Sequence, residues 1–453
     1  MIFEFLSCLF VKTIDEIEDF DSIGNGSCLR IKSMTNNHGF DADDGFDADV
    51  IVVGLGSMGS AAADRLSERG QKVLGFEQFH RGHDNGSHHG GSRIIRMSYF
   101  EHPDYVPLLR RAFELWDELE ADSQQRGWEQ LVHYTGGLYA GPPGCTTVEG
   151  SRISAVEHGV DHELLSADDI RARFPHFAVK DDEVAVFEKR AGFVRPELTV
   201  ALQLARAEER GAVLRHRHKV LNIEPKDGGV AVTVAGAVGK EGKPGTQKYG
   251  EPEVFTARTA VICPGAWAPG LFEETGIPQR AERQVMHWFS PGEEFAEYER
   301  GRVYIHERAD ELQIYGFPAA DGEEAGAKVA FFRNGRTVDP DQLDREVTDA
   351  EINEMRERLL TFVPALGRGE HRNSRACMYT TTPDEHFVIG RRPQWNDPNI
   401  IIACGFSGHG FKFVPAIGEV LADLATDGRT DHPIDLFDPL RFTEVRAAVS
   451  QEV

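Results

Sequence analysis

The sequence predicts an α/β chain, α+β overall, in which a parallel-sheet nucleotide-binding part is interleaved with a mixed-sheet part. Three observations carry this. A β-branched run, Val50-Ile51-Val52-Val53, leads into Gly54-Leu55-Gly56-Ser57-Met58-Gly59 and then a helical stretch. Between residues 280 and 370 the apolar runs have a different, antiparallel mixed character. After residue 375 the βα pattern returns, with Asn399-Ile400-Ile401-Ile402-Ala403-Cys404-Gly405 followed by a glycine turn and a helix. A chain of 453 residues has the length of two domains rather than one.

Met1 to Val11 is apolar but short and lacks the basic region and cleavage site of a signal peptide. The polar, acidic stretch that follows, with a tandem Gly-Phe-Asp-Ala-Asp repeat at 39–43 and 45–49, makes residues 1–46 an expected disordered extension. The run at 50–53 has the composition of a buried parallel strand. Ala61, Ala62, Ala63 and Leu66 continue at helical spacing up to Gly70, and Lys72 to Phe76 is a second strand ending at Glu77. This is a βαβ unit with an acid about twenty residues past the glycines, the dinucleotide pattern. Gly54 permits the tight turn, Gly56 lets the backbone approach a pyrophosphate, and Gly59 lets helix and strand pack closely. Ser57 and Met58 open the helix, whose free N–H groups and dipole suit phosphates. Glu77 would accept hydrogen bonds from a ribose diol, and an acid there disfavours a 2′-phosphate. FAD and NAD both fit.

The next stretch, Asn85-Gly86-Ser87-His88-His89-Gly90-Gly91-Ser92-Arg93-Ile94-Ile95-Arg96, is rich in Gly and Ser yet holds two His and two Arg. Arg93 and Arg96 are three apart and would share a face on a helical turn. They are either solvated arginines in a polar loop or a cationic clamp for a pyrophosphate, a flavin or a carboxylate. Tyr105 to Leu119 is an amphipathic core helix, with Val106, Leu109, Phe113 and Trp116 on its stripe. Gly137 to Ala140 is a strand, residues 151–177 read as helical pieces, and Glu197 to Glu209 is a helix behind Pro196. Val213-Leu214, Val220 to Ile223 and Val230 to Val234 are strands, and Gly239 to Gly250 is a polar loop. Val261 to Cys263 is a strand ending near Gly265, where ligands sit in doubly wound sheets.

In the middle region Gln284 to Phe289, Leu312 to Phe317 and Ala327 to Phe332 read as strands, and Val347 to Leu360 as a helix. Lys328 inside an apolar strand is costly to bury. It either guards an edge strand or holds positive charge near a redox centre. Further on, Ala376-Cys377-Met378-Tyr379 precedes the turn signal Thr382-Pro383-Asp384-Glu385-His386, and Gly405-Phe406-Ser407-Gly408-His409-Gly410-Phe411-Lys412 opens the helix Val414 to Leu424. That helix dipole would stabilise negative charge. Lys412 is placed in its first turn against the dipole's preference, which favours a ligand-binding role. Together with the glycine pattern at residue 54 these blocks point to a flavoenzyme, with Cys377 the candidate for covalent attachment.

The net charge of −25 argues against a nucleic-acid partner. No apolar run approaches the ~20 residues of a membrane helix. The six cysteines, Cys8, Cys28, Cys145, Cys263, Cys377 and Cys404, form no metal-ligand spacing, so no metal is expected, and they read as reduced thiols of a cytoplasmic protein.

The glycine pattern, the 86–96 loop, Cys377-Met378-Tyr379, Thr382 to His386 and Gly405 to Phe413 together resemble the monomeric sarcosine oxidase family, which includes N-methyl-tryptophan oxidase, over roughly residues 47–440. The resemblance implies a Rossmann-type FAD-binding domain (47–130, 195–270, 371–440) interleaved with a mixed-sheet substrate domain (131–194, 271–370), and a tail at 441–453. It implies FAD bonded through its 8α carbon to Cys377, in a site formed by Gly54, Gly56, Ser57, Met58, Gly59, Glu77, Ser87, His88, His89, Arg93, Val220, Gly265, Met378, Gly408, Gly410, Phe411 and Lys412. Arg96 and Lys412 resemble the pair that holds a substrate carboxylate, and Lys328 the lysine that speeds the reaction with O2. Arg93 and His89 match residues beside the flavin ring, and Tyr315 and Tyr379 match pocket tyrosines. Phe332 stands where several members have a histidine, which makes the pocket more apolar and shifts weight towards bulkier N-methyl or cyclic substrates. The implied activity is oxidation of a secondary amine to an imine that hydrolyses, with O2 reduced to H2O2, by a monomer. An NAD-dependent dehydrogenase, an O2-avoiding flavin dehydrogenase or other amino-acid oxidase, and a non-catalytic flavoprotein are the alternatives.

Overall fold

The computed structural model describes residues 45–271, 276–391 and 399–442. All but the end of the expected N-terminal extension, and most of the C-terminal tail, lie outside that range. The β-branched strand Ala48–Val53 is the middle of an eight-stranded sheet. It pairs in parallel with Val73–Glu77 on one side and Glu253–Ile262 on the other. Val213–His216 extends the sheet beyond Val73–Glu77, and Ile400–Cys404 adds in parallel to Glu253–Ile262. Val388–Arg391 closes that side antiparallel, and the hairpin His218–Lys226 with Gly229–Gly236 also joins Glu253–Ile262. Helices cover one face of the sheet: Ser57–Glu68 packs against Val414–Thr426 and Pro196–Glu209, which suits the buried apolar strands Ala48–Val53 and Ile400–Cys404. Two glycines make the first turn possible. Gly54 has φ +82°, and a Cβ there would lie 2.3 Å from the Cys263 carbonyl oxygen; a Cβ on Gly59 would lie 1.7 Å from the Gly54 oxygen.

A second, nine-stranded sheet is mixed. His371–Thr381 pairs antiparallel with Arg280–Phe289, which pairs with Ala327–Phe332, and Gln313–Gly316 and Val303–Glu307 follow. Gly137–Gly141 then joins Val303–Glu307 in parallel, with Val184–Glu188 and Glu163–Ser166 outside it. The strand His371–Thr381, which the sequence places with the nucleotide-binding part, hydrogen-bonds to this second sheet instead. Its polar residues, His371, Arg372, Asn373 and Ser374, hide the strand period. Residues 163–166, expected among helical pieces, form an edge strand, with the capped helix Ala167–Arg173 directly behind it.

A small third sheet joins Arg93–Ile95, Gly192–Val194 and Val132–His133. Arg93 is therefore on a strand, not on the helical turn that its spacing to Arg96 suggested. The β-branched pair Ile94-Ile95 favours extension, and its ladder to Phe193 and Gly192 fixes it. Among the described residues no helix is long and apolar enough to cross a membrane.

Candidate active site

A cavity of about 470 Å³ runs across the carboxyl ends of the parallel strands, lined there by Val53, Glu77, Cys263 and Cys404. The helix N-terminus at Ser57 opens into it with no side-chain cap and no acid in its first turn. A Cβ on Gly56 would meet nothing closer than His88 Nδ1 at 3.8 Å, so backbone faces open space there. These features fit a pyrophosphate. Glu77, Val220 and Trp267 line the cavity. The Glu77 carboxylate accepts from the Leu55 N–H at 3.0 Å and the Phe79 N–H at 3.1 Å, and His83 Nε2 lies 3.5 Å away. Burial works to raise its pKa, but His83 and the two N–H groups together hold it below the ordinary value. Ser87, Arg93, Gly265, Met378, Tyr379, Gly408, Gly410 and Phe411 also line the cavity. Gly59 belongs to the packing of the helix and is not on the wall. A separate open pocket, bigger still at about 1110 Å³, is lined by Arg110, Arg173, Arg190 and Arg302. It has neither the glycine turn nor any of the motif residues, so size alone does not locate the site.

Arg93, Tyr379, Gly408 and Phe411 also line a compartment of about 60 Å³ next to the first cavity. Its remaining wall includes Arg96, Lys412, Glu101, Tyr315, Phe317 and Phe332. The Tyr315 and Tyr379 hydroxyls are 3.2 Å apart, and the Phe332 ring stands 6.2 Å from Tyr379. Arg96 is 2% exposed; one of its terminal nitrogens lies 2.8 and 2.6 Å from the two Glu101 carboxylate oxygens, and the other donates to the Ser98 oxygen at 2.7 Å. Burial opposes ionisation of Glu101, but the Arg96 guanidinium, with Lys412 beyond it, holds its pKa down to about 2. Lys412 lies in the 3₁₀ turn Phe411–Phe413, just ahead of the helix Val414–Thr426 rather than in its first turn. Its Nζ donates to the His409 oxygen at 2.8 Å. Burial, and then Arg96 and Arg333, lower its pKa to about 7 against the pull of Glu101. Lys412 lines the small compartment and not the larger cavity.

Lys328 is 3% exposed and its strand is paired on both sides, with Trp288 opposite and the Phe317 N–H donating to its own carbonyl. The edge-guard reading therefore fails. Its ammonium donates to the Gly90 oxygen at 2.9 Å and the Ser92 oxygen at 2.5 Å, and lies 4.1 Å from the centre of the Phe317 ring. Arg93 takes the oxygens of Ser87, His89 and Ser92, at 2.8, 2.7 and 2.7 Å. Glu197 accepts the Gly90 and Gly91 N–H groups at 2.6 and 3.0 Å. The glycine-rich loop is thereby held by two cations on its carbonyls and one carboxylate on its amides. Burial pushes the Lys328 pKa well below its ordinary value.

His88 lines the larger cavity, and burial lowers its pKa to about 4. His89 is buried, both of its ring nitrogens lack a partner, and burial lowers its pKa to about 2. Cys377 is 2% exposed, with Sγ 3.7 Å from the oxygen of Ser87, a wall residue. Burial raises its pKa, against Arg93. Neither His89, Lys328 nor Cys377 lines either cavity. The sequence reading missed Glu101, Tyr99 and His409. The available signal was a glutamate set among aromatics, Tyr99-Phe100-Glu101, directly after Arg96. Such an acid must be paired if buried.

The family described as FAD dependent oxidoreductase matches residues 49–424. The chain is 47% identical to the monomeric sarcosine oxidase of Streptomyces avermitilis over 401 residues, 88% of this chain and 99% of that protein. It is 33% identical to the N-methyl-L-tryptophan oxidase of Yersinia pestis, covering 87% of this chain and all of that one. Among solved structures it is similar to NikD, an unusual amino acid oxidase essential for nikkomycin biosynthesis, with a TM-score of 0.71 at 21% identity over 86% of this chain and 97% of the other.

Proposed function

The chain belongs to the FAD-dependent oxidoreductases, among the relatives of monomeric sarcosine oxidase, and from that premise we propose that it oxidises a small N-methyl amino acid at the expense of O2. The observation that carries this is the shared wall, Arg93, Tyr379, Gly408 and Phe411, between a dinucleotide-shaped cavity and a small compartment holding two buried cations. The cations suit a carboxylate, and the aromatic walls suit an N-methyl group. A volume of about 60 Å³ favours a sarcosine-sized ligand over one bearing an indole, contrary to the shift expected from Phe332 alone. The aromatic ring narrows the compartment as well as making it apolar.

FAD, when bound, supplies the acceptor for the two electrons of the amine and passes them on to O2. Gly54, Gly56, Ser57 and Met58 would hold its pyrophosphate and Glu77 its ribose. Arg93, Met378, Tyr379, Gly408, Gly410 and Phe411 would face its ring. Arg96 and Lys412 would bind the substrate carboxylate and orient the amine. Two nearby cations also disfavour a protonated amine, so the substrate enters neutral and no side chain is needed as a general base. The imine takes up water to give formaldehyde and the demethylated amino acid, while O2 gains two electrons and two protons to become H2O2. Lys328 sets its amino nitrogen next to the glycine-rich loop, where its protonated form would favour electron transfer to O2.

The experiment is an assay of purified protein with sarcosine, N-methyl-tryptophan and proline. Equal amounts of formaldehyde and H2O2 from sarcosine are expected; no H2O2 from any of the three would overturn the reading. Covalent attachment at Cys377 is tested by acid precipitation. A yellow wild-type pellet and a colourless Cys377→Ser pellet are expected, whereas a colourless wild-type pellet would mean a non-covalent cofactor.

A further inference from the structure

The two cations of the small compartment rest on a common support. Tyr99 is fully buried and lines neither cavity. The Arg96 guanidinium carbon lies 4.3 Å from the centre of its ring, and Lys412 Nζ lies 5.1 Å from it. The Tyr99 hydroxyl meets His409 Nδ1 at 2.5 Å, and the carbonyl of the same histidine accepts from Lys412 Nζ at 2.8 Å. One ring therefore touches both cations. One histidine holds that ring through its side chain and Lys412 through its backbone.

Hydrogen-bond arithmetic fixes the direction of the central bond. His409 Nε2 is 3.0 Å from the Glu385 carbonyl oxygen, which can only accept, so Nε2 carries a proton. Burial, with Arg333 and Lys412 close by, outweighs Glu101 and holds the histidine well below its ordinary pKa, so the ring is neutral. Nδ1 is then the acceptor, and the Tyr99 O–H donates to it. A neutral histidine also avoids a third positive charge beside Arg96 and Lys412. The π face of Tyr99 attracts both cations, which would otherwise repel each other in an apolar box.

We propose that Tyr99 and His409 are positioning residues. The Tyr99 ring, anchored by its hydroxyl to His409 Nδ1, sets the placement of Arg96 and Lys412 for a ligand carboxylate. This rests on the reading of those two cations as a carboxylate clamp. Neither ring is assigned a part in the redox step.

The test uses the flavin-loaded full chain and two readouts: steady-state KM and kcat for sarcosine, and the dissociation constant of acetate, followed by the change it causes in the visible flavin spectrum. Acetate presents a carboxylate without an amine. In Tyr99→Phe the ring stays but the anchor goes. KM and the acetate constant should then rise together about 5- to 10-fold, the range of one neutral hydrogen bond, with kcat changed less. Tyr99→Leu, which also removes the π face, should weaken both further. His409→Asn, whose side-chain oxygen can accept the Tyr99 O–H, should stay closer to wild type than His409→Phe. Flavin content and unfolding midpoint, measured beside these, detect general damage. Unchanged acetate affinity in Tyr99→Phe with normal flavin content overturns the proposal. So does a fall in kcat alone, or an equal effect of the two His409 variants. If wild type binds acetate but oxidises no sarcosine, the functional reading fails while the clamp and its support are still tested by acetate. If it does neither, both fall.

Discussion

Replacing Arg96 separates two roles that the structure superimposes on one side chain. Its guanidinium neutralises Glu101, whose side chain is 5% exposed and which has no other cation within 4.0 Å among the described residues. Arg96→Met therefore leaves a buried carboxylate unpaired, a change that costs about 3–5 kcal/mol. Glu101 would respond by taking up a proton, since burial already opposes its ionised form and Arg96 is the main counterweight. The double variant Arg96→Met with Glu101→Gln removes both charges, and much of that stability should return, leaving a deficit of about 1–3 kcal/mol for the Ser98 oxygen that loses its donor. Acetate affinity should not return. Losing charge-assisted bonds to a carboxylate costs about 2.7 kcal/mol, which is about 100-fold in the dissociation constant. The assay pairs urea unfolding with acetate titration of the flavin spectrum for wild type, both single variants and the double. Recovery of acetate affinity in the double variant would refute the assignment of Arg96 to the ligand. An Arg96→Met protein as stable as wild type would refute the buried-pair argument.

Four further outcomes are expected. Lys412, with its pKa lowered to about 7, is charged below that pH and neutral above it, so acetate should bind more weakly as pH rises through 7, and Lys412→Met should show no such step. Lys328→Met should leave anaerobic reduction of the flavin by substrate nearly intact and slow its reoxidation by O2 severely; equal slowing of both half-reactions in stopped flow would remove Lys328 from the oxygen step. Gly59→Ala has no room for its methyl, 1.7 Å from the Gly54 oxygen, and should fail to give folded flavoprotein. Gly56→Ala points its methyl into open cavity and should fold, by circular dichroism, yet bind FAD less tightly.

Much of the first sheet was legible because its signals are local. The run at 50–53, the glycine spacing and Glu77 lie within one βαβ unit, and the strand Ile400–Cys404 is apolar from end to end. The substrate side was legible only in pieces. Lys328 stood out because a lone ammonium in Ala327–Phe332 contradicts its surroundings, but its partners, the oxygens of Gly90 and Ser92, are more than 200 residues away in sequence, at separations of 238 and 236. No local pattern reports such a pair. The conformation at Arg93 was hidden in the same way. Its spacing to Arg96 suggested a shared helical face, whereas the ladder of Arg93–Ile95 to the distant Gly192–Val194 makes it a strand. His371–Thr381 was missed for the opposite reason: its first residues are polar, and only pairing along Arg280–Phe289 makes them a strand. Tyr99 and His409 are 310 residues apart, and the bond between them could be found only in three dimensions.

The placement of His371–Thr381 has a consequence for how the protein is made. This strand belongs to the second sheet by its hydrogen bonds, yet its Met378 and Tyr379 wall a cavity whose opposite wall is built on the first sheet. Gly408, Gly410 and Phe411 complete that wall only near the end of the described chain. During synthesis the glycine turn at Gly54 emerges early, but Met378 and Tyr379, which wall the same cavity, follow only more than 300 residues later. The seat is therefore a late product of translation. A nascent chain released before Phe411 would carry a complete nucleotide turn with no lid to retain what it bound.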